Sequence, residues 1–328
     1  MISVAMASYN GEKYIEQQLD SICCQKTKVD ELIIVDDCSK DNTVKVIENY
    51  IETHPNFNIY LYQNEVNLGY KKNFCKALSY CKGDYVFLCD LDDIWLEEKV
   101  ETMINIMNKN PQIKALASSF NFIDQNNNPK EIELIPHFSN NNLFRRYVEP
   151  EKLVEVTFDE LLIQNGFQGC ALCITKEMNQ IFLNCFTDEI FHDWLINLLA
   201  SERKGMYFYN HPLFLYRIHD KNTIGINESE NLTETERLKK TNTLHVRSLF
   251  AQSSINSLNI LERMDPELGC NQPDYKEKRM FYKNHVQYLE KGNPIKLILQ
   301  NRSPYYKNIK TNKARVMDVF FAIKQRLV

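Results

Sequence analysis

The stretch Tyr85-Val86-Phe87-Leu88-Cys89-Asp90-Leu91-Asp92-Asp93 decides how the rest of the chain is read. Its first four residues are a continuous apolar run, the pattern of a strand covered on both faces. Three carboxylates then fall within four residues: Asp90, Asp92 and Asp93. Carboxylates packed that closely repel, so each raises the cost of ionising the next. A hard divalent cation removes that penalty, and carboxylate oxygens suit Mn2+ or Mg2+. A solvated turn explains the same letters, with Asp93 capping a helix that runs from Trp95 to Asn108.

Moving toward the N-terminus, the same punctuation recurs. Ile2 to Ala7 reads as a first strand, followed by a helix over 12–25 with Ile15, Leu19 and Ile22 on one face. Leu32 to Val35 is a second apolar run, and Asp41 is placed to cap a helix with Val44, Ile47 and Ile51 inward. Asn58 to Tyr62 reads as a third strand, and Phe74, Ala77, Leu78 and Cys81 mark the helix after it. Beyond the acidic stretch, Val100, Met103, Ile104 and Met107 line another helix, and Ile113 to Phe122 returns to strand. Repeated strand–helix units imply an α/β fold: a mostly parallel central sheet with flanking helices. In such sheets ligands bind outside the carboxyl ends of the strands. Three segments lie there: Ala7-Ser8-Tyr9-Asn10, Asp36-Asp37 and Asp90 to Asp93.

Toward the C-terminus, residues 125–157 are rich in Asn, Pro and charge and read as a long loop or insertion. A short helix, a strand near Gly169 to Ile174, helices over 176–185 and 192–203, and a strand over 206–217 follow. From about 229 the sequence is helical, polar and basic at its end. Residues 291–328 hold nine Lys or Arg and one acid, Asp318. Val316, Val319, Phe320, Ile323 and Leu327 recur there at helical spacing. That pattern suits a basic amphipathic helix making peripheral contact with an anionic membrane. It equally suits a helix packed on its own domain or on a second copy in a homodimer.

Across its 328 residues the chain is 44% hydrophobic and 25% charged, with a net charge of −4. That composition describes a globular protein and speaks against a nucleic-acid binder. No apolar run approaches the roughly 18 residues of a membrane span. The N-terminus enters a strand pattern directly, without the features of a secretory signal. The expected location is therefore cytoplasmic, at the inner face of the plasma membrane, with the ten cysteines reduced. Cys170 and Cys173 would point to opposite faces of a strand, so they read as buried small hydrophobes rather than a zinc site.

Taken in order, Ala7-Ser8-Tyr9-Asn10-Gly11, Val35-Asp36-Asp37-Cys38-Ser39-Lys40-Asp41, Asn67-Leu68-Gly69, and Gly83-Asp84-Tyr85 leading to Asp90-Leu91-Asp92-Asp93-Ile94-Trp95 closely resemble the family 2 glycosyltransferases. These are inverting enzymes of the GT-A nucleotide-diphospho-sugar transferase fold. His192-Asp193-Trp194 and Tyr216-Arg217-Ile218-His219-Asp220-Lys221-Asn222 are similar to a bacterial rhamnosyltransferase-like subgroup. The resemblance covers about residues 1–225, which would form the catalytic domain, with 226–328 as a helical, basic-ended extension.

The resemblance implies a role for each position. Ser8 and Tyr9 would frame the nucleotide pocket, Asp37 would recognise the base, Lys71 or Asn73 would reach the nucleotide, and Asp90 the ribose. Asp92, Asp93 and His219 would hold Mn2+ or Mg2+, with Arg217 neutralising phosphate charge. Asp193 is the candidate general base. The implied donor is a UDP- or dTDP-sugar, and the acceptor a saccharide, lipid-linked acceptors included, in bacterial surface polysaccharide synthesis. The alternative is a catalytically degenerate sugar- or nucleotide-sugar-binding protein of the same fold. A dinucleotide-dependent dehydrogenase is a poor match, because no GxGxxG follows the first strand.

Overall fold

The computed structural model describes residues 1–132, 144, 146–219 and 243–327. The chain divides into two compact units, Met1–Thr157 with Asn165–Ile226, and Phe158–Gln164 with Asn227–Val328.

The first unit opens with β1 (Ile2–Ser8), α1 (Ile15–Cys23), β2 (Glu31–Asp36), α2 (Thr43–Thr53), β3 (Ile59–Gln63), α3 (Tyr70–Tyr80) and β4 (Tyr85–Asp90). It continues through β5 (Ile94–Trp95), α4 (Lys99–Lys109), β6 (Ala115–Ile123) and β7 (Leu153–Glu155). The short helix α5 (Phe158–Ile163) belongs to the second unit. The first unit closes with a turn of 3-10 helix at Gly169–Ala171, β8 (Leu172–Thr175), α6 (Lys176–Cys185), α7 (His192–Glu202) and β9 (Met206–Arg217).

These strands form one sheet in the order β3-β2-β1-β4-β8-β6-β9-β5, with β7 alongside β9. The segment β3-β2-β1-β4 is parallel throughout, as the alternating pattern implied. Beyond β4 the sheet becomes mixed: β8 runs antiparallel to both β4 and β6, while β6 and β9 are parallel. β2 is buried at every position, which explains its uninterrupted apolar run. Each large apolar side chain so enclosed stabilises the unit by about 1.5–3 kcal/mol.

Strand order reverses at β1, with β2 on one side and β4 on the other. The register sets Ser8 beside Asp36 and Ala7 beside Asp90. The ends of three strands therefore meet at the switch point, where α/β sheets open a crevice.

Several local expectations are corrected. The buried face of α2 is Thr43, Ile47 and Tyr50, with Val44 and Ile51 only half-buried beside it, and Asn42 rather than Asp41 takes the N-cap position. No helix begins at Trp95. Ile94–Trp95 is instead a short strand pairing with β9, and α4 starts at Lys99. Asp93 is thus not a helix cap. The 169–174 segment is a 3-10 turn before a shorter strand. The 125–157 stretch contributes β7, which pairs antiparallel with β9.

The second unit contains α5 and, from Leu244 onward, α8 (Leu244–Met264), α9 (Leu268–Asn271), α10 (Tyr275–Glu290), α11 (Pro294–Gln300), α12 (Pro304–Ile309) and α13 (Asn312–Leu327). Its buried centre includes Asp318, which binds Arg247, Lys310 at 2.8 Å and the Tyr306 hydroxyl at 2.6 Å. Among the described residues no helix is long and apolar enough to cross a membrane.

Candidate active site

The crevice at the end of β1 is built by two tight turns. Asn10 takes a left-handed φ of 51°, which Asn tolerates, and leads into Gly11. A Cβ on Gly11 would lie 2.1 Å from Leu91 Cδ1, so the turn after β1 packs directly on the loop that carries Asp90 and Asp92. Ser8 is buried at the strand end, and its hydroxyl has no hydrogen-bond partner among the described residues. Tyr9 beside it is exposed.

Asp37 sits after β2, buried, and organises the next loop. Its Oδ1 accepts from Asn64 Nδ2 at 2.8 Å and from the Leu68 N–H at 2.7 Å, and its Oδ2 accepts from the Gly69 N–H at 2.8 Å. A carboxylate has about four lone-pair sites, so the chain itself takes three of them. Gly69, at φ 78°, lets the Asn67-Leu68-Gly69 loop fold over this carboxylate.

Asn73 is placed differently from its expected role. Its Nδ2 donates to Val35 O at 2.7 Å and its Oδ1 accepts from Asn64 at 2.9 Å, so the buried side chain holds α3 against β2 and does not reach outward. Lys71 donates to Asp188 O at 2.8 Å, and its ammonium stands 5.0 Å from the Phe191 ring centre. It ties α3 to the segment before α7.

Within the acidic stretch the three carboxylates separate into two groups. Asp92 meets His219 Nε2 at 2.9 Å, and both side chains are partly exposed. The His219 ring also stacks on Tyr14 at a centroid distance of 4.8 Å. Asp93 is buried: one oxygen accepts the Arg217 N–H at 3.2 Å, and its carboxyl falls in a group with Asp90 and Cys170 whose ligand atoms all lie within 4.8 Å of one another. Burial first, and then the charges of Asp92 and Asp90, push Asp93 well above the usual carboxylate range. Burial and the Asp92 charge raise Asp90 to about 7, the Cys170 thiol opposing the rise.

Arg217 corrects a second expectation. Its guanidinium donates to Asp92 O at 2.7 Å, Asp124 O at 3.3 Å, Gln17 Oε1 at 2.8 Å and Asn127 Oδ1, and lies 4.7 Å over the Tyr14 ring. It is spent on carbonyl oxygens behind the acidic loop and does not open toward a phosphate.

Asp193 lies in the first turn of α7, where the helix dipole favours an anion. Its Oδ1 accepts the Trp194 N–H at 2.7 Å, and burial raises the carboxyl to about 6. The Gly169-Cys170 turn joins this residue to the acidic group. A Cβ on Gly169 would stand 3.8 Å from Asp193 Cβ and 3.0 Å from His192 Nε2. His192 does not orient Asp193 through its ring: the imidazole stacks on Phe74 at 4.2 Å, and burial lowers it to about 3. Trp95 is core, tilted against Phe87 at 5.5 Å and not free to stack on a sugar.

Two site residues escaped sequence reading. Cys170 looked like a filler yet supplies its thiol to the Asp90–Asp93 group. Lys99, fully buried, donates to Cys170 O at 2.7 Å and stands 4.3 Å and 4.2 Å from the Trp95 and Phe214 ring centres. Its position on the inner face of α4, in line with Val100, Met103 and Met107, was the available signal. Asp220, Lys221 and Asn222, and the expected domain boundary at 225, lie outside the described residues.

A family model for glycosyl transferase family 2 matches residues 3–160. The chain is 30% identical over 236 residues, 68% of its own length and 75% of the relative's, to the dTDP-rhamnosyl transferase RfbG of Shigella flexneri. The chain belongs to glycosyl transferase family 2. Within that family it is also 29% identical to the UDP-Glc:alpha-D-GlcNAc-diphosphoundecaprenol beta-1,3-glucosyltransferase WfgD of Escherichia coli, over 58% of this chain and 65% of that one. Among solved structures it resembles S. aureus TarS 1-349 in complex with UDP-GlcNAc, with a TM-score of 0.56 at 17% identity, covering 99% of this chain and 92% of the other. At that identity the likeness supports the GT-A fold alone.

Proposed function

We propose that this glycosyltransferase transfers a sugar, with inversion, from a UDP- or dTDP-sugar to a hydroxyl of a saccharide acceptor, lipid-linked acceptors included, in bacterial surface polysaccharide synthesis. The observation that carries this reading is the convergence of Ser8, Asp36–Asp37 and Asp90 at the switch point, in one unit with the Asp92–His219 pair and the buried Asp193. The relatives named for dTDP-rhamnosyl and UDP-glucosyl transfer support both donor classes.

Ser8, with its unpaired hydroxyl, and Tyr9 frame the nucleotide pocket. Asp37 keeps one acceptor site for the base, and Asp90 faces the ribose. Asp92 and His219 would hold Mn2+ or Mg2+, whose contribution when bound is to neutralise charge on the departing diphosphate. The donor set fits: a carboxylate oxygen and an imidazole nitrogen, partly exposed and already adjacent. The Asp90–Asp93–Cys170 group fits these ions less well, because it is more enclosed and includes a thiol, a softer ligand than either ion prefers.

Asp193 acts as general base, taking the proton of the acceptor hydroxyl as its oxygen attacks the anomeric carbon. A carboxyl raised to about 6 is mostly ionised near neutrality and still basic enough to accept that proton. A panel of nucleotide sugars with Mn2+ or Mg2+, scored by thermal shift and donor hydrolysis, tests the reading. A metal-dependent response to a UDP- or dTDP-sugar is expected; silence across the panel would refute it.

A further inference from the structure

Helices α11 and α13 of the second unit present a surface that the sugar-transfer site does not use. Beneath it, Leu289, Leu297 and Ala322 pack together with Val319 and fix the two helices. Their outer faces are apolar but not needed for that packing. Ile295, Ile298 and Leu299 of α11 are exposed, as are Val316, Phe320 and Ile323 of α13, with Val316 at 66% and Phe320 at 52% exposure. A groove of about 490 Å3 runs between the helices, lined by Ile298, Val316, Val319, Phe320 and Ile323.

Along residues 291–327 the exposed charge is of one sign. Lys291, Lys296, Arg302, Lys313, Lys324 and Arg326 are exposed. The single acid of this segment, Asp318, is fully buried against Arg247, Lys310 and Tyr306, so it offers no compensating charge to the outside.

We propose that this face docks on an anionic lipid surface, the apolar side chains entering the headgroup boundary and the surrounding cations pairing with lipid phosphates. The basic charge is what selects this occupant. Protein interfaces deplete Lys, whereas amphipathic surfaces that lie on membranes carry Lys and Arg beside exposed apolar side chains. Binding of this kind scales with buried apolar area plus attraction to anionic lipid. This face belongs to the second unit alone and is independent of the donor that the first unit takes.

The test uses the full chain, sedimented with vesicles rich in phosphatidylglycerol and with vesicles of pure phosphatidylcholine. Binding to the anionic vesicles should be stronger by tenfold or more, about fivefold for each lysine engaged, and should weaken as salt rises. The double variant Phe320→Ser, Ile323→Ser should lower partition roughly tenfold through lost apolar burial. Lys313→Gln with Lys324→Gln should lower it by about fivefold per charge. All four positions are solvent-facing, so melting temperature and donor hydrolysis should be unchanged. Equal partition into both vesicle types would overturn the proposal, as would patch variants that partition like the parent. Self-association that the Ser variant abolishes, with vesicle partition untouched, would assign the face to a second copy and overturn it as well.

Discussion

Replacing Asp193 with Asn should abolish transfer and stabilise the protein, two effects that misfolding cannot produce together. The side chain is 7% exposed, and burial raises its carboxyl from 3.8 to about 6. Because the folded value is raised, the acid contributes favourably below its unfolded pKa of about 3.9, and that contribution is lost as pH rises through about 6. At neutral pH the native protein therefore carries a buried charge costing on the order of 3 kcal/mol, at about 1.4 kcal/mol per unit. Asn keeps the shape and the Trp194 N–H bond without the charge. Its melting temperature should rise by several degrees at pH 7, with the difference vanishing near pH 4. Loss of the base should lower turnover by about 100- to 10,000-fold. In the parent, kcat/KM should fall about tenfold per pH unit below about 6. Initial rates of donor turnover across pH, with melting curves at both pH values, check each part. A folded Asn variant that retains transfer, or a parent profile flat through pH 6, would refute the reasoning.

Two further tests separate neighbouring roles. Asp37→Ala removes the acceptor of the Leu68 N–H and one of two acceptors of both the Gly69 N–H and the Asn64 amide, and should cost about 1–3 kcal/mol by chemical denaturation. Asp92→Asn or His219→Ala should remove the stabilisation by Mn2+ expected in thermal shift, whereas Asp93→Asn should retain it. The reverse pattern would move the ion to the buried Asp90–Asp93–Cys170 group.

The parallel half of the fold was legible because β1, β2 and β4 are buried on both faces and each helix repeats its apolar residues at helical spacing, while β3 at the edge is largely exposed. The α6 and β9 boundaries were legible for similar reasons: Thr175 caps α6 by accepting the Met178 N–H, and β9 runs unbroken to Arg217. Reading failed where tertiary contact overrides local pattern. Ile94–Trp95 has the letters of a helix start, but pairing with Phe214 and Leu215 holds it extended. Arg217 and Asn73 carry groups suited to a nucleotide, yet both are engaged by backbone carbonyls and side-chain amides that only the folded chain brings near them. The acidic loop itself was legible as chemistry but not as geometry: letters cannot say which of three adjacent carboxylates turns inward.

That inward turn explains Lys99. Asp90, Asp92 and Asp93 sit together, and the charge of Asp193 also raises Asp90. Crowding of this kind is costly, and an apolar core would ordinarily reject a buried lysine at the start of α4. Here the two liabilities offset each other. Lys99 is enclosed by Trp95, Phe214 and the Cys170 carbonyl, and burial lowers it to about 8, still cationic near neutrality. Its charge lowers both Asp90 and Cys170, so it steadies the inner group without occupying the crevice. Asp90 and Asp93 thus have a fixed counter-charge supplied by the chain, while Asp92 is paired with His219. Of the three, Asp93 alone is fully buried, whereas Asp90 and Asp92 keep partial exposure at and just beyond the end of β4.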